Sequence, residues 1–283
     1  MNDNNLAFPQ LAQWICDYCK SHNEPFIKDS GKMVAYCFEL DQLLPEKYGW
    51  LFSDVESFKK KIENIKKTPK EINKAFWLDQ ARNIEAYSTM TFWRGIELLK
   101  PAIRCLNIHE VITPAVLVRS LLELSCVFLT NANYFDDIFS QLEFPDNKIV
   151  IVPEFEEKIV KMIWGTRVGD PCDYLKQTNV LTYIQKLSKS PKAKGLLETY
   201  EYLCDVAHPN FIGNMRFWSH VEEVLSDGSQ RRVISKFANK ECTHEIIDKI
   251  LWAMGWSSAV LRNGHEITKN AIHQLLTKLK EGK

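Results

Sequence analysis

Two charged side chains stand four residues apart inside an otherwise apolar run, V-L-V-R-S-L-L-E-L-S-C-V-F-L from Val116 to Leu129: Arg119 and Glu123. A guanidinium and a carboxylate one helical turn apart can form an ion pair, or can line a polar pocket in which the arginine meets an anion. A helical wheel sets both on a face with Ala115, Val116, Cys126 and Thr130, while Leu117, Leu121, Leu124 and Phe128 line the opposite face. Inside a bundle an unpaired charge is costly, so each needs a partner. The order Arg then Glu is the weaker direction for an i, i+4 pair on one helix, which points to partners from a second helix, with Tyr200 and His208 as the candidates. A structural ion pair is the competing explanation.

The second constellation is T-Y-E-Y-L-C-D-V-A-H-P-N-F. His208 precedes Pro209, a position that disfavours helix, so the histidine is expected at the C-terminal end of its helix. The carbonyl-rich end of the helix dipole favours imidazolium there, which suits a group that holds or releases a proton near neutral pH. Tyr200, Glu201 and Cys204 fall on roughly the same side of that helix. A histidine in this position also serves simply as a cap for its own last turn.

Two further clusters carry less. Cys16, Cys19, His22 and Cys37 have the residue types of a four-coordinate zinc site. The spacing of Leu11, Trp14, Ile15 and Tyr18 puts the first pair inside an amphipathic helix without the turn-forming glycines of a zinc knuckle, so buried thiols are the preferred reading. The run F-K-K-K-I-E-N-I-K-K-T-P-K from Phe58 to Lys70 could meet phosphate, but interspersed glutamates make a solvated helix face its default. No P-loop, dinucleotide-binding glycine pattern, Gly-x-Ser-x-Gly or His-Glu-x-x-His occurs, and neither a metal nor a cofactor is expected.

The elements that must position these groups are mostly helices. Apolar residues recur at spacings of three and four through Phe76, Ala81, Ile84, Tyr87, Met90 and Ile96, predicting a long helix from about 69 to 106 with a possible kink at Pro101. Helix starts are marked by Ser53 with Glu56, Thr68 with Pro69 and Glu71, Thr113-Pro114 and Ser190-Pro191. Further helices are expected over about 9–21, 33–44, 53–67, 114–130, 134–142, 153–165, 179–188, 191–208 and 244–280, the last with a break near Gly264. Two β-favouring runs around Asp227-Gly228 predict a hairpin near 216–237. The domain reading is an N-terminal helical cap over 1–66 and a main bundle over 67–283.

Equal numbers of basic and acidic residues, 36 each, remove any global pull toward nucleic acid or an anionic membrane, so such contacts must come from a local patch. The start M-N-D-N-N-L-A-F-P-Q lacks a secretion signal, giving the expectation of a reducing cytoplasm and of free thiols for the eight cysteines. Val111–Thr130 is long and apolar, but Arg119 and Glu123 would each cost about 2.5 to 3.5 kcal/mol at a bilayer centre, so no membrane span is expected.

The order R-S-L-L-E at 119–123, Y-x-x-L-C-x-x-x-H-P at 200–209, Trp218, an Asp-Gly turn and a long closing helix resembles a family of largely uncharacterised bacterial helical proteins. That family is similar in turn to the HEPN (higher eukaryotes and prokaryotes nucleotide-binding) superfamily. The resemblance covers roughly 80–280 and implies a helical bundle in which Arg119, Glu123, Tyr200 and His208 face a shared interior. Many HEPN proteins are metal-independent endoribonucleases of toxin and phage-defence systems, with an arginine followed after four to six residues by a histidine. Arg104 and His109 match that spacing, although Cys105 stands where a polar residue is usual.

The sequence therefore predicts an all-α, HEPN-like multi-helix bundle with a small β-hairpin, cytoplasmic and homodimeric by the resemblance. The expected function is binding or cleavage of RNA or a nucleotide, with His208, Arg119, Glu123 and Tyr200 as the site and Arg104 with His109 as the alternative pair. The contrasting expectation is a non-enzymatic interaction or small-anion-binding module whose Arg/Glu/His cluster is structural.

Overall fold

The computed structural model describes residues 8–166, 168–170, 172–208, 211–236 and 240–281. Within them the fold is all-α with one two-stranded antiparallel sheet, as the periodicity predicts. The helices are α1 (Gln13–Lys20), α2 (Pro25–Lys28), α3 (Ser30–Leu43), α4 (Val55–Glu63), α5 (Pro69–Asn107), α6 (Ile112–Gln141), α7 (Pro153–Trp164), α8 (Val180–Leu187), α9 (Leu196–Ala207), α10 (Phe211–Trp218) and α11 (Lys240–Glu281). Strands β1 (Ser219–Val224) and β2 (Gln230–Ile234) lie between α10 and α11.

Local chemistry sets several boundaries. Thr68 Oγ1 accepts from the Glu71 N–H at the start of α5, as its capping signal predicts. Asp54, and not Ser53, caps α4 by accepting from the Ser57 N–H at 2.7 Å; both are good capping residues, and the carboxylate adds a favourable charge at the helix N-terminus. Ser190 caps a single 3-10 turn, Pro191–Ala193, and α9 starts afresh after Gly195, whose φ of 88° suits a residue without a Cβ. Pro101 lies inside α5 without ending it.

Two expected breaks are absent. The segments expected at 114–130 and 134–142 form the single helix α6. Asn131, in the predicted gap, is buried with its amide donating to Tyr87 Oη at 2.8 Å, so a partner from α5 keeps a poor helix former inside the helix. Likewise α11 runs through Gly264, where an added Cβ would sit 2.9 Å from the Phe128 ring. That glycine is there for close packing.

Contacts group the chain into two compact units. The first comprises 1–41, 94–126 and 184–260, and the second 42–93, 127–183 and 261–283, so α5, α6 and α11 each contribute a part to both and residues 1–66 are divided between them. The first unit buries Ile15, Leu99, Ile103, Val118, Leu203 and Ile250. The second is built on aromatic rings: Trp77, Phe135, Phe139 and Phe155 are fully buried, and Phe155 lies 5.1 Å from Trp77 and 5.7 Å from Phe139. Such edge and tilted pairs contribute beyond the area they bury.

The hairpin forms where Asp227-Gly228 predicts it. Gly228 has φ 84°, and the Asp227 carboxylate accepts from both the N–H and the hydroxyl of Ser229. Ser219 pairs with Ile234 and Val224 with Gln230, with a register shift between Val221 and Glu223. Among the described residues, α6 is the one helix long and apolar enough to cross a membrane by length and composition, a description that the core helix of a soluble protein also meets; 44% of its most apolar window is buried.

Candidate functional site

The polar facet of α6 meets α9 inside the first unit. Along α6 as far as Cys126 the fully buried positions are Ala115, Val118, Leu121, Leu122, Ser125 and Cys126, while Arg119 and Glu123 fall on the half-buried strip beside them. On α9, Leu196, Thr199, Tyr200 and Leu203 turn inward, and Cys204 lies one turn after Tyr200 on the same side. The two strips place four functional groups together.

Arg119 Nη2 lies 3.0 Å from Glu123 Oε1, and its Nε donates to Cys204 Sγ at 3.1 Å. Tyr200 Oη donates to the same Glu123 oxygen at 3.0 Å, and the guanidinium carbon lies 5.8 Å from the centre of the Tyr200 ring. Glu123 thus accepts from a cation on its own helix and from a phenol on the next. The side chains of Arg119 and Glu123 keep 25% and 28% of their area exposed, so the cluster is neither sealed nor free in water.

These contacts tune protonation. Burial opposes the charge on Arg119, but Tyr200, Glu123 and Cys204 outweigh it and hold the guanidinium above its ordinary pKa. Burial, followed by the bond with Cys204, raises the Tyr200 phenol well above its usual value; Arg119 opposes the rise and the negative charge of Glu123 adds to it. Cys126, buried one turn below Glu123, is raised for the same first reason. Tyr200 therefore stays a neutral donor and Arg119 a cation over the physiological range.

His208 occupies the C-cap of α9 with extended backbone (φ −89°, ψ 131°), its N–H bonded to the Cys204 carbonyl at 3.0 Å, as its place before Pro209 predicts. Pro209 itself lies outside the described residues. The imidazole is exposed, and among the described residues no hydrogen bond or ion pair ties it to Arg119, Glu123 or Tyr200.

The alternative pair is not joined either. Arg104 is exposed on α5, and His109 follows the helix with φ 65°. The His109 N–H bonds to the Leu106 carbonyl and the Glu110 N–H to the Cys105 carbonyl. His109 thus fills the left-handed position of a Schellman cap, where glycine is usual. Its ring stacks on Trp14 at 4.5 Å and 19°. That stack accounts for an aromatic residue at a position that disfavours side chains.

The cysteine cluster disperses. Cys19 Sγ pairs with Ser30, Cys16 Sγ points to the Leu11 carbonyl, Cys37 is buried, and His22 Nε2 lies 3.3 Å from Asp248. Among the described residues, no group of three or more His, Cys, Asp or Glu side chains is placed to hold a metal ion, and the described cysteines are free thiols. Asp248 also accepts from Tyr18 Oη at 2.7 Å, forming a small tyrosine–aspartate–histidine network that spacing within one segment could not reveal. Cys204 as the sulfur acceptor of Arg119 was legible only as its i, i+4 relation to Tyr200. A cleft of about 560 Å³ between α10 and the base of the hairpin is lined by Met215, Trp218 and Ile234 and holds none of the predicted site residues.

No family model, curated protein or solved structure matches this chain.

Proposed function

We propose that this chain is a HEPN-like helical protein that binds RNA or a nucleotide through the α6–α9 facet, with Arg119 as the group that meets phosphate. The observation that supports the reading is the junction of the R-S-L-L-E and Y-x-x-L-C segments: Arg119, Glu123, Tyr200 and Cys204 form one partly open cluster. Cys204, Glu123 and Tyr200 engage part of the five guanidinium N–H groups, and the quarter of the side chain that stays exposed leaves donors for charge-assisted bonds to a phosphate. Glu123 and Tyr200 fix the orientation of that donor set.

In cleavage His208 would move a proton from a ribose 2′-hydroxyl or to the leaving oxygen, and Arg119 would stabilise charge on the phosphorane. This chemistry asks for no metal. The Arg104–His109 alternative has less support, since the His109 ring is committed to Trp14. The resemblance adds a homodimer and a toxin or phage-defence role to the proposal, which takes the protein as cytoplasmic and without membrane contact.

A second reading is a purely structural network, favoured by the fact that Arg119, Glu123 and Tyr200 engage one another. Purified wild-type, Arg119→Ala and His208→Ala proteins incubated with mixed RNA in EDTA, with binding and cleavage both followed, separate the two. Loss of RNA or nucleotide binding in folded Arg119→Ala supports the site. Unchanged binding with only lowered stability replaces it by the structural reading. Equal cleavage by wild type and His208→Ala removes the histidine.

A further inference from the structure

The second unit carries an exposed aromatic surface beside exposed lysines. Trp50, Phe52 and Trp164 form a continuous row, with ring centroids 5.4 Å apart at 57° and 5.0 Å apart at 46°. Phe52 and Trp164 each keep 44% of their area exposed, and Leu51 and Val55 beside Phe52 keep 62% and 70%. The packing that positions this row is specific. Trp50 Nε1 donates to Asn83 Oδ1 at 3.1 Å, Tyr48 Oη donates to Glu85, and one turn before Asn83 on α5 the buried Asp79 holds Lys61 of α4. Phe58 of α4 packs edge-on against Phe76 of α5. Residues 48–52 and α4 are therefore fastened to successive turns of one helix.

The charges next to the row are not balanced. Asp54 is used as the cap of α4, Glu56 pairs with Lys59, and Asp79 of α5 pairs with Lys61 and faces Arg82. Lys60, Lys66 and Lys67 are exposed; Lys60 feels the charge of the capping Asp54, and among the described residues no hydrogen bond or salt bridge engages the three ammonium groups, with Glu63 the other acid on the helix. At a rise of about 1.5 Å per residue, Lys60 lies about 8 Å along the axis from the start of α4, which follows Phe52 by three residues.

We infer that this face binds single-stranded nucleic acid, with bases stacking on Phe52 and Trp164 and the backbone tracking Lys60, Lys66 and Lys67. Exposed rings with π-faces accept any base, and lysines beside them supply attraction without reading sequence. A second copy of the chain would bring like charge against like, which disfavours self-association here. The rings are held by Asn83 and by one another, and so offer fixed faces for planar bases in place of the free wedges that enter a lipid surface. The inference does not depend on the Arg119 facet.

The test is anisotropy of a short fluorescein-labelled oligoadenylate with the full-length protein, across a salt series. Phe52→Ala and Trp164→Ala should each weaken binding about tenfold, the scale of one base-stacking contact. The triple charge reversal of Lys60, Lys66 and Lys67 to Glu should lower the slope of log affinity against log salt by about 2, since three phosphate contacts on a single strand are lost. Melting curves check folding, and the exposed lysine variant carries the test where an aromatic variant loses stability. Affinity unchanged in all three variants overturns the inference. So does wild-type protein that binds phosphatidylserine vesicles but not the oligonucleotide. Loss confined to Arg119→Ala, with the platform variants equal to wild type, overturns it while leaving the α6–α9 proposal standing; the opposite pattern supports the platform and removes that proposal.

Discussion

The two halves of α6 use the same helix for different ends. From Ile112 to Cys126 it contributes to the first unit, burying Ala115, Val118 and Leu122 while its edge holds Arg119 and Glu123 against α9. From Val127 to Gln141 it contributes to the second unit, where Phe135 and Phe139 join Trp77 and Phe155 in an aromatic core. The difference lies in what each side chain requires. Rings gain from any close neighbour of the right shape, whereas an arginine and a glutamate out of water need particular atoms at particular distances. The aromatic half is satisfied by shape, and the polar half by matched atoms.

Substitutions can break or sharpen this contrast. The largest expected effect is in the aromatic half: Phe155→Ala should cost about 4 kcal/mol of unfolding free energy, read as a lower urea midpoint, because a fully buried ring is removed from several others. Next come two glycines of α11. Gly255→Ala should cost about 3 kcal/mol, since the new Cβ would meet the Phe26 carbonyl oxygen at 2.3 Å and backbone cannot yield, whereas Gly264→Ala should cost about 1 kcal/mol, since the Phe128 ring can give.

In the polar half, Arg119→Ala should cost about 2 kcal/mol, because Glu123 keeps only Tyr200 and loses its cation. Equal losses for Arg119→Ala and Phe155→Ala would dissolve the contrast. A smaller effect is expected at His265, whose Nδ1 lies 3.0 Å from Ser88 Oγ and whose pKa burial lowers, aided by Lys269 and opposed by Glu266 and Glu85. The unfolded imidazole takes up a proton near pH 6.5 while the folded one resists. Stability is then complete above about pH 6.5 and falls as pH drops below it, and His265→Gln should lose this part of the pH dependence in urea titrations. The smallest is His109→Gly, where relief of the positive φ offsets the lost stack on Trp14; stability should change by less than about 1 kcal/mol.

Much of the molecule is legible in its sequence because local rules act on local neighbours. The period of Phe76 to Ile96 specifies α5, Thr68 caps it, Asp227-Gly228 turns the hairpin, and His208 before Pro209 ends α9. The errors fall where a distant residue decides. Asn131 and Gly264 look like breaks in isolation, but Tyr87 and Phe128 supply what keeps each helix continuous. The Tyr87 phenol, pushed up to about 12 chiefly by burial, remains protonated in that contact.

The same division holds at the site. The types and spacing of Arg119, Glu123 and Tyr200 determine that each needs a partner off its own helix, since an apolar run cannot satisfy a charge. Their own side chains cannot say which partner, because contacts between residues 77 or 85 positions apart depend on how α9 packs on α6. Tertiary packing chose Cys204 as the sulfur acceptor, left His208 on the exposed end of its helix, and took His109 into a cap stacked on Trp14. Sequence specified the chemical needs, and three-dimensional proximity, which carries the energy of a directional contact, decided how they were met.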